Sequence, residues 1–342
     1  MTTSIHIEYK QWLFISQELY SYFHSVCFLK NTKEKQEGTN VIQHWLLVIN
    51  EVKTLPKYSC FPLLPKIKYG HEITDKLVDA IIEKKFLWKN KSIEVVKNLL
   101  EFIDQSHIIY SALKFDIEPE IINGVIHYGQ FKSLEFDNLC YLLNNYPLYD
   151  ITKMLLRYES LGNGSYQWGD PMELHLAYYR HYNVRYEGFA SPINSRFLTL
   201  QYCRFCSLFP EIDSQFGSLG NFFDINLAEY PGGWSINPPF VNVVLKDAAN
   251  KVISTLKSGT KSHFFCTYPL WRDSEGWKLL ENSSFLVKKF HRTNGCVIQD
   301  AYGKLIHPPM GLSLFCLSYK CNDYFDIIEK IIMKETWILV TK

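Results

Sequence analysis

A chain of 342 residues can hold one large domain or two ordinary ones. A hydrophobic content of 47% with 15% aromatics excludes a disordered chain, and nine cysteines without a repeating spacing suit a reducing, intracellular compartment rather than a disulfide framework. The formal net charge of +1 excludes a strongly basic binder of nucleic acid, so any such contact must come from a local patch.

Met1 to Lys10 is polar and mixed in charge, so no signal peptide is expected, and no apolar run reaches the roughly 20 residues of a membrane span. Lys, Asn, Ile, Phe and Tyr are abundant, while the first arginine is Arg157, a bias that fits an AT-rich genome. Apolar residues at helical spacing predict helices over His6–Leu29 and Asn40–Val52. After a loop with Pro56, Pro62 and Pro65, Thr74 is expected to cap a helix over Asp75–Leu87. Ser92 is expected to cap another, with Val95, Val96, Leu99, Leu100 and Ile103 on one stripe. Further helices fit Ser133–Asn144 and Asp150–Ser160, giving an α-helical domain over residues 1–165. His44, His71, His107 and His127 lack ligand spacing, and the lysine-rich stretches at 33–35 and 84–91 read as solvated helix faces.

Leu161 to Pro171 is rich in turn formers and reads as a linker. Beyond it helices and strands alternate, which predicts an α/β domain over residues 166–342. Met172–Tyr182 reads as a helix, followed by Phe189-Ala-Ser-Pro192 and Asn194. The lone Cys203-Arg-Phe-Cys206 has no second pair at zinc spacing, so ordinary thiols and no metal are expected. In Phe216-Gly217-Ser218-Leu-Gly220-Asn-Phe-Phe-Asp224 the glycines permit close approach of a ligand to the backbone. Asp224 there could accept from a ribose hydroxyl or an amine. Val243–Leu256 predicts an amphipathic helix, and Ser262–Thr267, Phe285–His291 and Gly311–Leu317 predict strands. A hairpin arm is expected over Cys296–Ile306, then a helix over Tyr324–Met333 and a strand over Trp337–Val340.

The stretch that carries chemistry is Ser235-Ile236-Asn237-Pro238-Pro239-Phe240, the end of a buried strand running into a tight turn. Asn-Pro-Pro-aromatic is the set that methyltransferases acting on planar amino groups place beside their methyl donor. An exocyclic amine on a conjugated ring is a poor nucleophile because its lone pair is delocalised. The Asn237 side-chain oxygen and the Pro238 carbonyl can accept hydrogen bonds from its two N–H groups, drawing the nitrogen towards a tetrahedral shape. Pro238 and Pro239 stiffen the turn, and Phe240 offers a flat face for an extruded base. At the carboxyl end of the following strand, Trp271 can stack on a base or cap and Arg272 can pair with phosphate.

Ordered blocks accompany the motif. Tyr186-Glu-Gly-Phe-Ala-Ser-Pro-Ile-Asn194, Cys206-Ser-Leu-Phe-Pro210, Phe216-Gly-Ser218, Asn237-Pro-Pro-Phe240 and Tyr268-Pro-Leu-Trp-Arg272 together resemble the phosphorylated-CTD-interacting-factor family, the cap-specific adenosine-N6 methyltransferases. The resemblance runs over roughly residues 170 to 320. It implies a Rossmann-like methyltransferase core preceded by an α-helical domain, S-adenosylmethionine as donor, and capped mRNA with a cap-adjacent adenosine as substrate. By position, Asn237, Pro238, Pro239 and Phe240 would be catalytic. Phe189, Ser191, Pro192, Asn194, Gly217, Ser218, Asp224 and Asn237 would hold the donor. Phe240, Asn242, Trp271 and Arg272 would meet the RNA, in the nucleus or the cytoplasm, including a host cytoplasm if the protein is viral.

This sequence departs from the family in three ways. Asn242 stands where the family has an acidic substrate contact, nothing reads as the family's amino-terminal WW domain, and the amino-terminal half lacks arginines matching the cap-binding ones. The tetrapeptide also serves enzymes that methylate DNA adenine or cytosine amines, uncapped RNA, or a protein glutamine amide. A catalytically silent RNA-binding scaffold of the same fold is the alternative from another class.

Overall fold

The computed structural model describes residues 4–51, 55–162, 167–293 and 297–319. The chain divides into two compact units, residues 1–134 with 146–163, and residues 135–145 with 164–342.

In the first unit, α1 (Ile5–Leu13) continues through a π-helical turn, Phe14–Leu19, into α2 (Tyr20–Val26). The next helix, α3 (Thr32–Glu51), starts well before Asn40 because Asn31 and Glu34 form a capping box. Asn31 Oδ1 accepts from the Glu34 amide, and Glu34 Oε2 accepts from the amides of Lys30 and Asn31. The predicted caps Thr74 and Ser92 both lie inside helices. His71 caps α4 (Glu72–Glu83), with Nδ1 accepting from the Ile73 amide, and the Thr74 hydroxyl donates back to the His71 carbonyl. Ser92 is buried in α5 (Lys89–Ala112), donating to the Trp88 carbonyl, and its helix buries the predicted stripe from Val95 to Ile103.

A short antiparallel sheet then departs from the all-helical expectation: β1 (Glu120–Ile122), β2 (Val125–Tyr128) and β3 (Phe131–Lys132). Asn123 and Gly124 make its first turn, both at positive φ (52° and 80°), the twist that a two-residue hairpin requires. Next in the chain come α6 (Leu139–Asn145), which belongs to the second unit, and α7 (Leu148–Leu161), which packs on α1. The α1–α7 contact encloses a bidentate ion pair: Arg157 Nε and Nη2 donate to the two Glu8 carboxylate oxygens at 2.7 Å each, and both residues are buried.

The second unit holds α8 (Met172–Tyr182), β4 (Val184–Glu187), β5 (Arg204–Phe205), the single turn α9 (Pro210–Asp213), β6 (Gly233–Ile236), α10 (Asn242–Lys257), β7 (His263–Pro269), α11 (Glu275–Glu281) and β8 (Leu286–Arg292). A small hairpin, β9 (Ile298–Gln299) with β10 (Leu305–Ile306), precedes β11 (Leu312–Ser318). Six strands form one sheet in the order β5-β4-β6-β7-β11-β8. Neighbours from β5 to β7 are parallel, and β11 runs antiparallel to both β7 and β8. The central strands β6 and β7 are buried on both faces.

One face of this sheet packs Leu245, Ala248, Ala249, Val252 and Leu256 of α10 with Trp277 and Leu280 of α11. The other packs Leu174 and Tyr178 of α8 with Phe197. The unit is therefore a mixed α/β sheet with helices on both sides. The segment 135–145 belongs with it because Asn138 Nδ2 donates to the carbonyls of Pro192, Ile193 and Ser195 at 2.9–3.3 Å, and Asp137 pairs with Arg196 at 3.2 Å.

The middle of the expected linker, Cys296 of the expected hairpin arm, and the expected helix Tyr324–Met333 and strand Trp337–Val340 lie outside the described residues. No helix among the described residues is long and apolar enough to cross a membrane.

Candidate active site

Taken in chain order, the four parallel strands β4 to β7 stand in the sheet as second, first, third and fourth, so the chain leaves β4 to one side and later returns on the other. Open α/β sheets bind ligands at such a reversal, outside the carboxyl ends of the strands. Here that crevice lies where β4 ends at Glu187 and β6 ends at Ile236.

Gly188 makes the close approach possible. Its amide donates to the Ser235 carbonyl at 2.8 Å, and a Cβ there would stand 2.6 Å from Ile236 Cδ1. Glu187 is buried beneath the crevice. Its carboxylate accepts from the Ser195 hydroxyl and from the amides of Arg196 and Phe197, and lies 3.3 Å from His175 Nε2. Burial pushes its pKa up, but the bonds from His175, Ser195 and Arg196 outweigh this and hold it below the ordinary value. The carboxylate thus stays ionised and pins the turn after β4.

That turn contains four of the predicted donor contacts. Phe189 is half-buried, its ring 4.7 Å from that of Phe222 and 5.6 Å from that of Phe223. Ser191 and Asn194 are buried and bonded to each other: Asn194 Oδ1 accepts from the Ser191 amide and hydroxyl, and Ser191 Oγ also bonds Gln167 Oε1. Their side chains therefore build the turn, with Pro192 buried between them and its carbonyl taken by Asn138.

Gly217 (φ 99°) ends the turn Ser214–Phe216, and the next residues run beside β5, with the Leu219 amide donating to the Phe205 carbonyl. Ser218 Oγ lies 2.8 Å from Ser207 Oγ. Asp224 is exposed at the end of the following turn, which Lys251 of α10 holds by donating to the carbonyls of Phe223 (3.0 Å) and Ile225 (2.6 Å).

Asn237 is half-buried directly after β6, and among the described residues neither its side chain nor the Pro238 carbonyl takes part in a hydrogen bond. The turn closes one residue later, with the Val241 amide on the Pro239 carbonyl at 2.7 Å, and α10 begins. Two acceptors are thus left unengaged at the strand end. Phe240 packs against the cores on both faces of the sheet, so its ring sits over the carboxyl edge where they meet.

An equivalent tight turn follows β7, with the Trp271 amide on the Pro269 carbonyl at 2.7 Å. It brings the Trp271 ring edge-on to Phe240 at 6.3 Å and 68°. Arg272 and Asn242 are exposed on the same edge. Beside them His291 of β8 has both ring nitrogens buried with no hydrogen-bond partner among the described residues, and burial, then Lys289, hold its pKa below the usual value.

The structure therefore joins the two motif blocks at Phe240 and Trp271, and the two donor blocks through the Phe189, Phe222 and Phe223 rings. Glu187, His175, Asn138 and Lys251 were not identified from sequence. Each acts through a partner at least eight residues away in the chain, and no local pattern marks them. In the Cys203/Cys206 pair, Cys203 is pushed up to about 11 by burial and Cys206 further still, so both stay thiols at neutral pH. Among the described residues no group of His, Cys, Asp and Glu side chains could hold a metal ion.

Comparison with known proteins bears out the resemblance. Residues 144–297 match the family model described as "Phosphorylated CTD interacting factor 1 WW domain", and the matched residues include β4, β6, the Asn237–Phe240 turn and β7. A human protein named mRNA (2'-O-methyladenosine-N(6)-)-methyltransferase is 32% identical over 127 residues, covering 35% of this chain and 17% of that protein. The Mus musculus protein of the same name is 30% identical over 127 residues, with the same coverage. The alignment thus spans less than a fifth of the curated relatives' length.

Proposed function

We propose that the chain is an S-adenosylmethionine-dependent methyltransferase that forms N6-methyladenosine at the cap-adjacent adenosine of mRNA. In this reading a mainly helical unit, residues 1–134 with 146–163, accompanies a Rossmann-like catalytic unit, residues 135–145 with 164–342. The observation that carries the reading is the pair of unengaged acceptors at Asn237 and Pro238, standing at the sheet's reversal next to the Phe240–Trp271 ring pair. It lies in the stretch that matches the family model. The strand order supports the Rossmann-like assignment, since 2-1-3-4 is how a doubly wound sheet begins.

The donor set fits S-adenosylmethionine chemically. Phe189 offers an aromatic surface, Asp224 a carboxylate, Ser218 a hydroxyl, and Gly217 a backbone with open space on its Cα apart from Arg204 Nη1 at 3.7 Å. Phe189, Ser191, Pro192 and Asn194 would hold the donor through the turn after β4, with Gly217, Ser218, Asp224 and Asn237 on its other sides. When bound, the donor supplies an electrophilic methyl group on a sulfonium.

This chain's part is positioning, which for methyl transfer carries most of the catalysis. Asn237 and the Pro238 carbonyl accept hydrogen bonds from the two amino N–H groups and aim the nitrogen lone pair. Phe240 and Trp271 grip the flipped adenine, and Asn242 and Arg272 meet the flanking RNA. Such a substrate would be met in the nucleus or the cytoplasm.

The test is methyl transfer from labelled S-adenosylmethionine to capped RNA beginning with adenosine, the same RNA uncapped, and duplex DNA. Transfer to the capped RNA alone, lost when guanosine replaces the first adenosine, is the expected result. Transfer to uncapped RNA or DNA would keep the chemistry and reassign the substrate. Silence on all three without donor binding would overturn the reading in favour of a scaffold.

A further inference from the structure

The outer face of the second unit carries a cleft of about 580 Å³ between α10 and α11. Its α10 wall is a helical stripe, Lys246, Asn250, Ile253 and Lys257, at spacings of four, three and four residues. Asn242, one of the candidate substrate contacts, is the preceding member of that stripe, four residues before Lys246. The stripe therefore starts at the edge that carries the Asn-Pro-Pro-Phe turn and runs about 22 Å away from it to Lys257. The α11 wall carries Glu275, Lys278 and Asn282.

The cleft is narrowest at its head. Gly276 touches α10 backbone to backbone there, since a Cβ would lie 2.6 Å from the Leu245 carbonyl carbon, and Lys246 Nζ pairs with Glu275 at 2.5 Å. It opens towards the exposed Lys257, Lys278 and Asn282. Three lysines stand against one glutamate, and the other polar groups are amides and hydroxyls, over an apolar floor of Ile253 and Leu279. That is the chemistry of a phosphodiester track: cations and neutral donors for phosphate oxygens, with an apolar strip for sugar and base faces. A chain with a formal charge of only +1 can meet nucleic acid only through such a local patch.

We infer that this cleft takes the backbone of the single-stranded RNA leading away from the methylated nucleotide, and so sets how substrate length affects affinity. The inference rests on the reading of the chain as an RNA methyltransferase.

The test is the double variant Lys257→Glu/Lys278→Glu, with Lys257→Gln/Lys278→Gln as a graded control. Both substituted positions are solvent-exposed, and melting curves matching the wild type would verify folding. Binding of a fluorescent single-stranded RNA of about a dozen nucleotides is read by anisotropy, so the result does not depend on turnover. The charge reversal is expected to weaken binding about tenfold or more. The Gln variant should flatten the dependence of log affinity on log salt by about 0.7 for each lysine removed. Transfer to a capped trinucleotide, too short to reach Lys257, should be unchanged in KM and kcat.

Unaltered RNA binding and salt slope in the charge reversal would overturn the inference. So would loss of binding to a polyglutamate peptide with RNA binding intact, which would make the occupant an acidic protein segment. Weakened RNA binding in the variant, together with a wild type that binds no donor and methylates neither capped RNA, uncapped RNA nor duplex DNA, would uphold the cleft and reject the enzymatic reading instead.

Discussion

Replacing Asn237 with Ala removes one acceptor from the end of β6. Because the side chain is half-buried and bonds to nothing among the described residues, no buried donor loses its partner when it is truncated. Truncations of that kind stay within about 0.5 kcal/mol of the parent in stability. The effect on transfer should be far larger, since in the proposed function the acceptor serves only the reacting nitrogen. Deleting one preorganised polar group of this kind costs about 10²–10³ in kcat, or roughly 2.7–4 kcal/mol. The assay pairs a thermal melt with kinetics on capped, adenosine-initiated RNA. The expected pattern is an unmoved melting temperature with kcat and kcat/KM lowered together, the signature of an interaction made only in the transition state. A variant that melts early would make Asn237 part of the turn's structure. One that keeps its kcat would remove it from the chemistry.

Three further outcomes follow from the packing. Arg157→Leu leaves the Glu8 carboxylate buried without its bidentate partner and should cost about 3–5 kcal/mol in chemical denaturation, whereas Glu8→Leu/Arg157→Leu together should recover most of that loss. Gly276→Ala drives a methyl into the α10 backbone at 2.6–2.8 Å and should lower stability by about 1–3 kcal/mol. A higher melting temperature would show that helix propensity outweighs the clash.

His263 is the third case. Burial holds its pKa below 6.5, against the opposing hydrogen bond from Nε2 to the Tyr182 carbonyl. The unfolded chain therefore binds the proton more readily, and stability should fall as pH drops below 6.5 towards the folded value. Melts at about pH 7.5 and about pH 5.5 should show this, with a smaller difference in His263→Gln; an equal difference in that variant would assign the effect elsewhere.

Elements whose cause is local were legible in the chain. Met172–Tyr182 is α8 to the residue, and α10, β7, β8 and β11 differ from their predicted spans by one or two residues at either end. In these segments apolar period, propensity and flanking turn formers all agree. Two further local signals stand outside the expected spans: Asn31 with Glu34 is a capping box, and Asn123-Gly124 between apolar residues is a hairpin turn. At Thr74 and Ser92 residue type alone misplaced the cap, because a hydroxyl inside the first turn bonds back to the carbonyl three or four residues earlier just as well.

The candidate site divides along the same line. Asn237-Pro-Pro-Phe is contiguous, and its chemistry follows from the residue types themselves, so it could be read without coordinates. The order of the strands could not, because pairing β4 with both β5 and β6 is a choice among topologies that the same apolar runs would satisfy. Only folding brings Phe240 to Trp271, buries Glu187 under the crevice with His175, and turns Ser191 and Asn194 inward to each other. Asn138 shows the same limit: it belongs to the second unit through three carbonyls more than fifty residues away in the chain. Local periodicity and turn chemistry decide elements, because they act over one or two turns of chain. Burial and hydrogen bonding between distant segments decide which side chains remain free to meet a ligand.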